Sequence, residues 1–161
     1  MSGRYERIPY LVAYQNDSGV RDVYGGLAEV VTLECYLLKP VNPADTEAAG
    51  PATGDTALVF MHPSAAGGAY LPMVTGLARA GHHVIYAGSR YRGSDSALLM
   101  EKVVQDLGAV ITDARTRLGY SKVVLAGWSG GGSLSLFYQQ QAQHRQRSHH
   151  AHPGAAAVGE H

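Results

Sequence analysis

A mostly parallel sheet with helices on both faces and an antiparallel N-terminal edge is the fold that three features of this 161-residue sequence predict. First, from residue 56 to about 140 the chain alternates strand, helix, strand, helix, strand, helix, the order of a parallel sheet with covering helices. Second, the strand segments Ala57-Leu-Val-Phe-Met61, His83-Val-Ile-Tyr-Ala87 and Val123-Val-Leu-Ala126 are short continuous apolar runs, as strands buried on both faces require. Third, two earlier strand-like stretches, 8–14 and 28–38, have no helical segment between them and so pair antiparallel. The class is α/β.

The elements follow in order. Asn16-Asp-Ser-Gly19 and Gly25-Gly26 supply turn chemistry between the first two strands. Val30, Val31, Leu33, Cys35, Tyr36, Leu37 and Leu38 mark the second. Residues 39–55 are rich in Pro, Ala, Gly, Asp and Thr and read as a surface loop. A helix is expected from about Tyr70, stopped by Gly81 at its C′ position. Met100–Leu118 is the clearest helix: Val103, Val104, Leu107, Val110, Ile111, Ala114 and Leu118 recur at helical spacing, and Gly119 closes it. After residue 140 the composition changes to a Gln-, His- and Arg-rich run and then to Ala-rich sequence. The expected division is one domain over 1–140 and a low-complexity, disordered tail over 141–161.

Composition narrows the function classes. Thirteen basic groups balance thirteen acidic ones, which gives no electrostatic footprint for nucleic acid. The single cysteine, Cys35, rules out an intramolecular disulfide framework and fits a reducing compartment. Met1-Ser-Gly-Arg-Tyr-Glu-Arg opens no apolar run of a secretory signal, and no stretch reaches the ~18 apolar residues of a membrane span. The expectation is a cytoplasmic protein with neither a nucleic-acid nor a membrane partner.

The stretch that carries chemistry is Lys122-Val-Val-Leu-Ala-Gly127-Trp128-Ser129-Gly130-Gly131-Gly132, a buried-strand pattern running into G-x-S-x-G. That spacing holds a serine oxygen on a sharp strand-to-helix turn above the sheet. Leu134, Leu136, Phe137 and Tyr138 continue into a helix whose N-terminal end favours developing negative charge. The pattern departs from the dinucleotide fingerprint G-x-G-x-x-G, and no lysine follows Lys122 to complete a phosphate loop. Ser129 reads as a nucleophile, and Trp128 as packing.

Three local motifs together resemble the α/β-hydrolase superfamily of serine hydrolases, over the N-terminal half of that fold. They are the nucleophile elbow Gly127-Trp128-Ser129-Gly130-Gly131, the segment Met61-His62-Pro63-Ser64-Ala-Ala-Gly67-Gly68 at the place of the family's loop after the third strand, and Ser89-Arg90-Tyr91-Arg92-Gly93-Ser94-Asp95 after the fourth. The resemblance implies a truncated α/β-hydrolase core, with Ser129 attacking an acyl carbonyl. It further implies an oxyanion hole from the backbone N–H of Gly130 and one from the loop, Ser64 or Ala65 with Ser64 preferred because Pro63 has no N–H. It gives His62 a loop-supporting role. Arg90, Arg92 and Asp95 read first as loop-bracing or solvated groups and second as a site for an acidic substrate group; Tyr70 and Tyr91 are candidate pocket walls.

One departure is large. The family order is serine, acid, histidine, yet after Ser129 the only acid is Glu160, and His144, His149, His150, His152 and His161 all lie in the polar tail. No strand pattern there orients an imidazole, and base catalysis needs fixed geometry. Imidazoles in the run His149-His150-x-His152 could take up transition-metal ions, but nothing scaffolds a site, so no metal and no cofactor is expected. The function read here is hydrolysis of an ester, thioester or related small acyl substrate, impaired because the triad's acid and histidine are missing. A non-catalytic binding or interaction module on the same sheet, and an acyltransferase, are the alternatives. The strand at 123–126 is expected to leave an uncovered sheet edge open to self-association.

Overall fold

The computed structural model describes residues 3–16, 29–41, 54–64 and 66–150. Five strands and three α-helices follow in chain order: β1 (Arg4–Asn16), β2 (Glu29–Val41), β3 (Thr56–His62), α1 (Pro72–Arg79), β4 (His83–Gly88), α2 (Met100–Thr116), β5 (Lys122–Ala126) and α3 (Gly130–His150). They form one mixed sheet in the order β1-β2-β4-β3-β5. β1 pairs antiparallel with β2, and β2 antiparallel with β4, through Cys35↔Ala87 to Leu38↔Val84. β4, β3 and β5 are parallel, with Phe60 opposite both Tyr86 and Ala126.

Chain reversal explains the layering. The β3–α1–β4 unit steps one way in the sheet, and β4–α2–β5 steps back across β3. Right-handed crossovers in opposite directions put their helices on opposite faces. Accordingly, Val74 and Ala78 of α1 pack with Leu38, Phe60, Val84 and Tyr86 on one face. On the other, Val103, Leu107, Val110, Ile111 and Ala114 of α2, with Leu134 of α3, cover Leu33, Cys35, Val59, Met61, Ile85 and Ala87. Every residue of β4, which has sheet neighbours on both sides, is buried. β5, at the edge of the described sheet, is half-buried, and Val124 is 38% exposed.

Local chemistry sets the element ends. Pro72 opens α1, where its missing N–H costs nothing, and a short 3-10 turn, Gly68–Tyr70, precedes it, so the helix begins two residues later than the sequence suggests. Gly81 at φ 99° and Gly119 at φ 81° take the left-handed positions just past α1 and α2. β2 runs on to Val41 into the stretch expected as loop, because Lys39, Pro40 and Val41 pair with Glu6, Tyr5 and Arg4. β4 stops pairing at Leu38, so a proline at 40 leaves no rung of that ladder short of a donor. α3 likewise continues through His150, past the tail boundary expected at 140. Gln, Ala and Arg are good helix formers, and extending an existing helix is far easier than starting one. Residues 151–161 lie outside the described residues.

One polar cluster is buried in this frame. Asp106 of α2 is fully buried; it accepts the Arg90 backbone N–H at 2.9 Å and the Arg90 guanidinium at 2.9 Å. The Tyr14 hydroxyl of β1 donates to Asp106 and accepts from Arg90 Nη2. Arg90, immediately after β4, thereby braces its loop rather than facing a ligand. Cys35 is a buried strand residue whose thiol burial pushes up to about 12, so it is no nucleophile near neutral pH.

Two outcomes are expected. Asp106→Ala strands the buried Arg90 guanidinium and lowers unfolding free energy by about 3 kcal/mol or more, read from the urea midpoint. His83, buried and bonded through Nδ1 to the Tyr120 hydroxyl at 2.7 Å, has its pKa lowered by burial and then by Lys39. The folded state therefore binds fewer protons at His83 than the unfolded chain, and stability falls as pH drops through the unfolded value of about 6.5. Urea unfolding between pH 7.5 and 5.5 should show this loss, reduced in His83→Gln.

Candidate functional site

Parallel β3, β4 and β5 all end at the same edge of the sheet, so the segments after His62, Gly88 and Ala126 meet there. Open α/β sheets place their ligand crevices at such carboxyl ends, where successive crossovers diverge.

The chain turns from β5 into α3 over Gly127, Trp128 and Ser129. Ser129 has φ 50°, the one non-glycine residue with positive φ among those described. A left-handed L-residue costs about 1 kcal/mol, and such strain concentrates where function holds it. The Ser129 carbonyl accepts N–H bonds from Gly132 and Ser133 at 3.0 and 3.3 Å, and the Trp128 carbonyl accepts from Gly131 at 2.8 Å. Ser129 itself is exposed. The Gly130 N–H lies in the first turn of α3, where amides have no partner inside the helix, and the helix end adds partial positive charge.

Glycine is required by contact. A Cβ on Gly127 would overlap the Gly131 carbonyl, and one on Gly131 would stand 2.7 Å from the Met61 carbonyl oxygen. The helix start is therefore pressed against both its own strand and the end of β3. This brings the His62 loop to the elbow: a Cβ on Gly130 would lie 3.3 Å from His62 Nε2 and 3.4 Å from Pro63 Cδ.

That loop is held from several sides. The Ser64 N–H donates to His62 Nδ1 at 3.3 Å, and the Ser64 carbonyl accepts from Gly93 N–H at 2.8 Å. Ser89, buried at the end of β4, donates its hydroxyl to the Pro63 carbonyl and accepts the Tyr91 N–H at 3.1 Å. The His62 ring lies 5.8 Å from the Trp128 ring, and Trp128 also meets Phe60 at 6.1 Å and Tyr86 at 6.3 Å. Trp128 is thus packing, with its neighbours on either side in sequence doing the turning.

Ser129, Gly130, His62 and Ser64 are accordingly brought to one end of the sheet. Ser64 turns its amide onto His62, and Ala65 lies outside the described residues. Of the other candidates, Arg92 pairs with Glu34 of β2, and Tyr70 is 62% exposed beneath the Arg7 guanidinium, 3.9 Å from its ring. In the sequence Ser89 stands out only as the start of the turn after β4, and Asp106 not at all. Asp106 had a signal: it stands three residues after Val103 and four before Val110, on the apolar stripe of α2, where an acid must find a buried partner. No group of three His, Cys, Asp or Glu side chains placed to hold a metal occurs among the described residues, and no helix among them is long and apolar enough to cross a membrane.

Solved structures with a similar fold include two esterases. A ferulic acid esterase from Streptomyces cinnamoneus superposes with a TM-score of 0.57 at 13% identity, covering 88% of this chain and 56% of its own. The rice cell wall degrading esterase LipA from Xanthomonas oryzae superposes at 0.52 with 18% identity, covering 89% of this chain and 40% of its own. The chain thus spans about half the length of these structures. At such identities the likeness is one of fold. No protein-family model and no curated protein sequence matches the chain.

The strained turn carries a stability consequence. Ser129→Gly should unfold at higher urea than Ser129→Ala, by about 1 kcal/mol, because only the first removes the left-handed cost.

Proposed function

We propose that this chain carries the nucleophile half of an esterase-type α/β-hydrolase core, with Ser129 as the attacking group on an ester or related acyl carbonyl. The observation that supports this best is Ser129 at φ 50° on the glycine-packed turn from β5 to α3. Attack forms a bond from Ser129 Oγ to the acyl carbon as the serine proton passes to solvent water, and the carbonyl electrons move onto its oxygen. The oxyanion then collapses, the bond from the acyl carbon to the leaving oxygen breaks, and the leaving group departs as an alcohol on taking a proton from water. Gly130 N–H, at the head of α3, is the first donor to the oxyanion. Ser64 N–H is the second, after it exchanges its 3.3 Å contact with His62 for the ligand.

His62 supports the loop in this scheme. Its Nδ1 accepts from Ser64, so in the neutral ring the proton sits on Nε2, the nitrogen nearer the elbow. A ring in that tautomer donates there and does not take up the serine's proton. Residues 130–150 contain no acid that could orient a histidine base. Positioned amides alone retain part of the catalysis when a triad is broken, so slow acylation with poor turnover is the expected behaviour.

A fluorophosphonate probe tests this directly. Wild-type chain should be labelled stoichiometrically and slowly at Ser129, and Ser129→Ala not at all. Absence of labelling in the folded wild type would favour a binding module on the same sheet.

A further inference from the structure

Tyr86 lies at the centre of β4, opposite Phe60 of β3 and Tyr36 of β2, and is 2% exposed. Strand residues so enclosed have little freedom, which suits them to hold other groups in place. Two parts of the Ser129 site rest on this one side chain. Its ring stacks on Trp128 at 6.3 Å and 22°, next to the serine in sequence. Its hydroxyl reaches the far end of the loop after β3, where the buried Gly68 backbone N–H donates to the phenolic oxygen. Gly68 is so close that any Cβ there would overlap the Tyr86 ring and hydroxyl. The near end of that loop is tied elsewhere, by Ser89 to Pro63 and by Gly93 to Ser64. Tyr86 thus touches both the Gly68 end of the loop and the elbow.

We infer that Tyr86 is a positioning residue of the Ser129 site, its hydroxyl setting the Gly68 end of the oxyanion loop and its ring setting Trp128, so that the loop and the elbow keep a fixed separation. The inference rests on the reading of Ser129 as nucleophile. An oxyanion hole works only when its donors stand at hydrogen-bond distance from where charge develops. A loop released at one end blunts that without touching substrate.

Tyr86→Phe in the full chain removes the hydroxyl and keeps the ring. Fluorophosphonate labelling of Ser129 should then show an inactivation rate constant lower by about tenfold, the worth of one hydrogen bond. The apparent affinity for the probe should stay nearly unchanged and the melting temperature should fall by only a few degrees, the loss of one buried hydrogen bond. The chain is then still folded where labelling is read, and general unfolding would not give the slower rate. Independently of any chemistry, amide exchange at Gly68 should quicken by about tenfold. Trp128 is the sole tryptophan, so its emission reports on the ring half: unchanged in Tyr86→Phe, shifted to the red in Tyr86→Leu. Unchanged Gly68 exchange in Tyr86→Phe, or unchanged Trp128 emission in a folded Tyr86→Leu, would overturn the proposal. Failure of the wild type to label would instead remove the nucleophile reading, while exchange and emission still decide whether Tyr86 ties loop to elbow.

Discussion

The backbone-to-backbone approach at the start of α3 governs the geometry of the candidate site. Gly127 folds under Gly131, and Gly131 lies against the Met61 carbonyl at the end of β3. No side chain fits between these segments. The helix therefore begins directly on the sheet, and the residue at the apex must absorb the whole change of direction. Ser129 does so in the left-handed region. The same approach carries the first amides of α3 and the His62 loop to one place. A looser junction, with an ordinary residue at 127 or 131, would separate those parts by the size of the side chain it introduced.

Around this contact the molecule uses two kinds of support. On the α1 face an aromatic group, Phe60, Tyr86, Trp128 and His62, joins the ends of the three parallel strands through ring contacts. Such packing is stiff because interiors have little spare volume. On the loop side the ties are polar and directional: Ser89 to Pro63, Gly93 to Ser64, and the buried Arg90–Asp106–Tyr14 cluster that pins the segment after β4 to α2 and β1. The two arginines of that segment are thereby committed to Asp106 and Glu34. Both are paired within the scaffold, in keeping with the loop-bracing role read first for them.

Much of the fold was legible because burial on both faces writes itself as uninterrupted apolar runs. Ala57–Met61 and His83–Ala87 are such runs, and both are central strands. Glycines at 81 and 119 marked helix ends for the conformational reason that only they take φ near 90° cheaply. The outer parts were less legible. β1 and β2 extend beyond their apolar cores because each supplies the other's hydrogen-bond partners, a gain invisible in either segment alone. The polar stretch after residue 140 shows no apolar stripe, yet helix α3 continues through it to His150. Apolar periodicity is a sign of packing, and a helix already started can run on without it.

Read alone, the sequence determined the α/β class, the placement of the strand–turn–helix around Ser129 and the need for glycine beside it, since these depend on neighbours within a few positions. Which side chains steady that turn was decided only in three dimensions. Tyr86 lies 43 positions before Ser129 and Asp106 is 16 positions beyond Arg90. Nothing in local spacing joins them. Parallel pairing of β3, β4 and β5 does, by laying distant strand ends side by side, and burial then makes each polar group there take the partner within reach.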